Sequence, residues 1–161
     1  MKYVFLGASS FLAIVAQMIA GSNFFLFNFL DLSLILIAYW AIYRSRVQAL
    51  FVGSLTGILL DAVFGWPLGY NGFGKTLAAF LVGQAAKRFN AEETWIRFVI
   101  IAASSSVSFV AMFALFALLQ RTFNAVYLGA SFVQALITAA VGVVLFAALD
   151  NYQESHARRA S

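Results

Sequence analysis

The 161-residue chain has no cysteine, one proline and one histidine, and only 10% of its residues are charged. Without cysteine, disulfides, iron–sulfur clusters and thiolate chemistry are excluded. The sole histidine, His156, lies in a polar C-terminal stretch, so an intramembrane serine protease would lack its base. Aspartyl intramembrane proteolysis needs two facing carboxylates, nominally Asp31 and Asp61. Both fall at one edge of their apolar runs, and no glycine-x-glycine-Asp context surrounds Asp61. There is also no phosphate-binding loop, no HExxH and no cluster of metal ligands. The reading is of a protein that is not an enzyme and holds no cofactor or metal.

What is present is apolar. The hydrophobic fraction is 63% and the mean hydropathy +0.92, where ordinary soluble domains run at about 45–50% apolar residues. A soluble domain of this length still exposes roughly 30% of its surface, too much to hide this many apolar side chains. Lipid as solvent removes the difficulty, and 18 phenylalanines suit a lipid-facing exterior. The net charge of +4 does not point to nucleic acid, because the basic residues punctuate apolar runs instead of forming a patch.

Apolar runs of about 20 residues match a hydrocarbon core of roughly 30 Å. Six are expected, at Tyr3–Ala20, Phe24–Tyr43, Val47–Phe64, Asn71–Ala86, Trp95–Leu119 and Val126–Leu149. The breaks carry glycine, proline, serine and charge, among them Arg44-Ser45-Arg46 and Gly65-Trp66-Pro67-Leu68-Gly69. The expected fold is therefore all-α, a polytopic bundle of six transmembrane helices over residues 1–150 with a short polar tail at 151–161. Lys2 and the run that follows resemble a signal peptide, but further membrane segments follow, so an uncleaved first span is preferred. Orientation follows positive charge. With the N-terminus inside, Lys2, Arg44, Arg46, Lys87, Arg88, Arg97, Arg158 and Arg159 are cytoplasmic, and only Lys75 and Arg121 lie opposite. Both termini are then cytoplasmic. A five-span rival, with a re-entrant segment from near Asn71, would put Arg158 and Arg159 on the wrong side.

Ionisable groups within spans are expensive and so mark functional positions. Asp31, Asp61 and Lys75 all fall in the outer half, as do Gln17, Asn28, Asn71 and Gln134. Asn28 and Asp31 have the spacing of a helix cap and the third residue of its first turn. Asp61 and Lys75 flank one hairpin, where they either neutralise each other or line a site. Gln17 and Gln134 suit hydrogen bonds between helices. Gly53, Gly57 and Asp61 recur every four residues, a small-residue face that brings another helix toward an acid. Beyond it, Gly65 and Gly69 shape a tight outer turn. Ser104, Ser105, Ser106 and Ser108 in the fifth span suit close packing or bonds to carbonyls of their own helix. The candidate partner or pocket residues are Asp31, Gly53, Gly57, Asp61, Gly65, Gly69, Asn71 and Lys75.

The stretch from Asp31 to Gly83 resembles the MreD family. The matching elements are Asp31-Leu32-Ser33-Leu34-Ile35-Leu36 leading to Tyr39-Trp40, then Gly53-x-x-x-Gly57-Ile58-Leu59-Leu60-Asp61. Gly65, Leu68-Gly69-x-x-Gly72 and the run from Lys75-Thr76 to Gly83 follow. The resemblance implies a non-enzymatic scaffold of the bacterial rod (elongation) complex in the cytoplasmic membrane. It implies direct binding of MreC, and association with MreB filaments, the RodA glycosyltransferase and a class B penicillin-binding transpeptidase in lateral peptidoglycan synthesis. It also implies a bundle similar to the substrate-binding S-components of energy-coupling-factor transporters. A vitamin-binding S-component is accordingly the alternative function. The arginine-rich inner loops and tail would meet anionic lipid or cytoplasmic filaments.

Overall fold

The computed structural model describes residues 7–8, 10–17, 30–89, 91, 93–119 and 126–160. Among these there is no strand. The helices are α1 (residues 10–17), α2 (Leu32–Tyr43), α3 (Arg46–Phe64), α4 (Tyr70–Arg88), α5 (Thr94–Leu118) and α6 (Val126–Ala160). Among the described residues, three stretches are long and apolar enough to cross a bilayer: Arg46–Phe64, Thr94–Leu118 and Ser131–Tyr152 within α6. The described part of α2 is only about 18 Å long at 1.5 Å per residue. Residues 18–29, which include the expected start of that span and Asn28, lie outside the described residues. Most of the polar tail at 151–161 continues α6 as helix, to Ala160.

Local chemistry sets the helix ends. Ser45 caps α3 by accepting the Gln48 amide at 3.2 Å. Gly65 stops it with a left-handed φ of 68°, and the Trp66 amide closes on the Asp61 carbonyl at 2.9 Å. Gly69 then turns the chain at φ 101° into α4.

A helix that is apolar all round belongs in the middle of a bundle, and α2 meets α3, α4, α5 and α6. Its Leu34, Ile37, Ala38 and Trp40 are buried. From α2 onward, helices adjacent in sequence pack against each other, and α3 with α4 is the most intimate pair. Glycine makes that intimacy possible. A Cβ at Gly57 would lie 2.4 Å from the Gly72 Cα, and one at Gly53 would lie 2.7 Å from the Lys75 carbonyl oxygen. The small-residue face read from the sequence therefore receives α4, in antiparallel register. Gly74 extends the contact to α5, where its Cβ would meet the Ser108 carbonyl at 2.6 Å.

Candidate functional site

Two polar centres pin the bundle, one at each end of α2. The first gathers where α2 and α4 begin and α3 ends. Asp31 is itself the N-cap of α2, its carboxylate accepting the Leu34 amide at 3.0 Å and the Ser33 hydroxyl at 2.6 Å. The cap is thus Asp31 and not a residue three positions earlier, because this carboxylate reaches its own helix's orphan amide. Its other oxygen forms a buried ion pair with Lys75 in the second turn of α4. The Asp31 amide donates to Thr138 Oγ1 on α6 at 3.1 Å. One residue thereby ties three helices.

Asp61 has a different set of partners, which corrects the expectation that it neutralises Lys75. Gly69 has no side chain with which to cap α4, so its first amides need an acceptor from elsewhere. Asp61, fully buried in the last turns of α3, supplies it. Its carboxylate accepts the Gly69 amide at 2.8 Å, the Asn71 amide at 3.1 Å and the Gly72 amide at 3.5 Å. Asn71 Nδ2 adds a fourth donor at 2.8 Å. A full negative charge at a helix N-terminus also opposes the positive end of the helix dipole. Gly53, Gly57, Gly65 and Gly69 serve the same joint, the first two by admitting α4 and the last two by turning the chain.

Beside the Asp31–Lys75 pair is a small polar cavity of about 90 Å³. Asp31, Asn71, Ser105, Ser108, Ser131 and Gln134 face it, closed by Phe109 and Met112. Of the residues singled out in the sequence, Asp31, Asn71 and Gln134 share this cavity, and Lys75 is held beside it by its pair with Asp31. Gln17 also joins helices as expected, its Oε1 accepting the Ser33 amide at 3.4 Å. The serines of α5 divide. Ser104 and Ser106 bond to the carbonyls of Ile100 and Ala102 at 2.7 and 3.0 Å, as anticipated, while Ser105 and Ser108 turn to the cavity. That role, and those of Ser33, Ser131 and Thr138, were not anticipated. A signal existed: Ser131, Gln134 and Thr138 are spaced three and four apart, on one face of α6.

The second centre lies at the other end. Arg97, buried on α5, donates to the Ala91 carbonyl at 2.6 Å and pairs with Asp150 of α6. Tyr43, the last residue of α2, donates to the other Asp150 oxygen at 2.8 Å. The guanidinium also lies 5.5 Å from the Phe146 ring and 5.9 Å from that of Tyr43, close enough for cation–π attraction. Charge counting assigned Arg97 only to a side of the membrane; its side chain is buried in the bundle.

Within these centres the charged groups answer one another, an arrangement of joints and not of reactive groups. The family model for the rod shape-determining protein MreD matches residues 1–153. The chain belongs to the MreD family. Membership assigns it to rod-shape determination, in a complex with other Mre proteins, and to a membrane family that is structural and not known as enzymatic. The match covers the expected first and last two spans as well as the Asp31–Gly83 region that carried the resemblance. No curated protein and no solved structure matches the chain.

Proposed function

We propose that this MreD chain is a non-catalytic, six-span scaffold of the rod complex in the bacterial cytoplasmic membrane, with both termini cytoplasmic. It binds MreC directly at the end of the bundle that holds Asp31, Asn71 and Lys75. Through MreC it works with MreB, RodA and a class B penicillin-binding transpeptidase in lateral peptidoglycan synthesis. The observation that carries the reading is how the polar residues there are used. Asp31 is committed to Lys75 and Asp61 to the α4 amides, which leaves a neutral recess of hydroxyls and amides beside a rigid apolar hairpin.

That hairpin exposes Phe64, Trp66 and Leu68, with Leu68 70% accessible. Anchors of this kind, next to a polar recess able to take one side chain, suit a protein segment. Gly53, Gly57, Gly65, Gly69 and Asp61 contribute by holding the hairpin in place. The vitamin-binding alternative fits less well, because small-molecule pockets usually enclose about 300–1,000 Å³ and this one encloses about 90 Å³. Six spans and the inside positive charge support the orientation.

The test is co-purification from native membranes. The chain should bring down MreC, and Leu68→Glu should lose MreC while the bundle stays folded, since that side chain packs on little. Recovery of a transporter energising module in place of MreC would sink the proposal.

A further inference from the structure

An apolar groove of about 420 Å³ runs between α4 and α5, on a different face of α5 from the polar cavity. It exists because Ala85 of α4 and Ala103 of α5 are small, while Leu81, Phe89, Val99 and Val107 around them are large. Ile100 and Ser104 form its floor, and the Ser104 hydroxyl is already bonded to the Ile100 carbonyl, so the floor offers no polar partner. On α5 the groove extends from Trp95 to Val107, about 18 Å along the axis. Half a hydrocarbon core is about 15 Å. The groove therefore has the length of one acyl chain in one leaflet.

Its mouth lies at the α4–α5 turn and is built for an interface. Trp95 is 72% and Phe89 58% exposed, as in the aromatic belts at headgroup level. The charges at the mouth are of both signs. Lys87 and Arg88 end α4 and are exposed. Glu93, the N-cap of α5, is exposed and makes no capping hydrogen bond with its side chain. A purely anionic headgroup would meet the Glu93 carboxylate as well as the cations. A headgroup with a phosphate next to a primary ammonium complements both.

We infer that the α4–α5 groove binds a phosphatidylethanolamine, with one acyl chain along Ala85 and Ala103, the phosphate toward Arg88 and the ammonium toward Glu93. The inference rests on the six-span reading in one respect, since α4 must lie in the membrane. Native mass spectrometry of the full-length chain, delipidated and titrated with phosphatidylethanolamine or phosphatidylglycerol, tests it. One phosphatidylethanolamine per chain should be retained, about threefold in preference to phosphatidylglycerol, the ratio that one exposed ion pair supports. Ala103→Trp, at an exposed position, should abolish retention. Arg88→Gln with Glu93→Gln should keep binding but erase the preference. Equal or better retention of phosphatidylglycerol, unchanged retention in Ala103→Trp, or a dimer mass in place of lipid overturns the inference. Phe89→Cys and Leu68→Cys, labelled from the two sides of sealed vesicles, separate the two readings. Labelling from opposite sides with no retained lipid refutes the lipid site alone, and labelling from one side refutes both.

Discussion

Asp61→Asn is the sharpest perturbation, because the substitution keeps the shape of the side chain and removes only its charge and half its acceptors. The carboxylate accepts three backbone amides and one side-chain amide. An asparagine retains one acceptor oxygen and turns its own NH₂ toward amides that also need an acceptor. A buried donor left without a partner costs about 1–3 kcal/mol. Loss of a negative charge at a helix N-terminus adds about 1 kcal/mol. The sum is about 2–4 kcal/mol. At about 2–4 °C per kcal/mol for a chain of this length, the melting temperature should fall by about 4–16 °C. Thermal unfolding in detergent, followed by tryptophan fluorescence, measures it. A double-mutant cycle sharpens the result. Asp61→Asn and Lys75→Met should be additive within about 0.5 kcal/mol, because the two residues share no partner. An unchanged melting temperature, or strong coupling between Asp61 and Lys75, would refute the capping role.

Lys75→Met should cost about 3–5 kcal/mol by stranding the buried Asp31 charge, and adding Asp31→Asn should recover much of that; the same thermal assay reads the recovery. Gly57→Ala should cost about 1–3 kcal/mol or more, because its new methyl meets the Gly72 backbone and not a movable side chain. Weaker folding is the expected readout, with proteolysis of the α3–α4 hairpin as the check. Arg97→Gln should loosen the α5–α6 pair at the Asp150 end and leave the Asp61 joint untouched. Faster hydrogen exchange confined to the Tyr43 and Asp150 region would show this.

The helices themselves were legible in composition. Runs such as Val47–Phe64 and Trp95–Leu119 agree with α3 and α5 to within a residue or so, since length, hydropathy and the flanking serine or glycine act locally. Local signals also exposed the Gly53–Gly57–Asp61 face, and its every-fourth spacing foretold that a helix would lie against it. The α2 start was read less well, because the spacing made Asn28 the cap and Asp31 the third residue of the first turn, whereas Asp31 is itself the cap.

The partners of the charges were not legible. Asp61 and Lys75 are fourteen positions apart across one hairpin, and sequence separation makes them the natural pair. The structure gives Lys75 to Asp31, forty-four positions away. Depth along a helix can be read from residue number, but a helix's neighbours around its circumference cannot. The parallel alignment of α2 with α6 is of the same kind. Asp31 meets Thr138 and Tyr43 meets Asp150, both at a separation of 107 residues. These two pins stand about 18 Å apart on the helix axes. By itself the sequence determined a membrane solvent, the helical segments and the faces on which polar groups lie, because each depends on residues within a few turns. Only the tertiary structure decided that Asp61 caps α4, that Lys75 answers Asp31, and that Arg97 and Asp150 lock the far end. Burial demands that every charge find a partner, and which partner is in reach depends on how helices distant in sequence come to lie side by side.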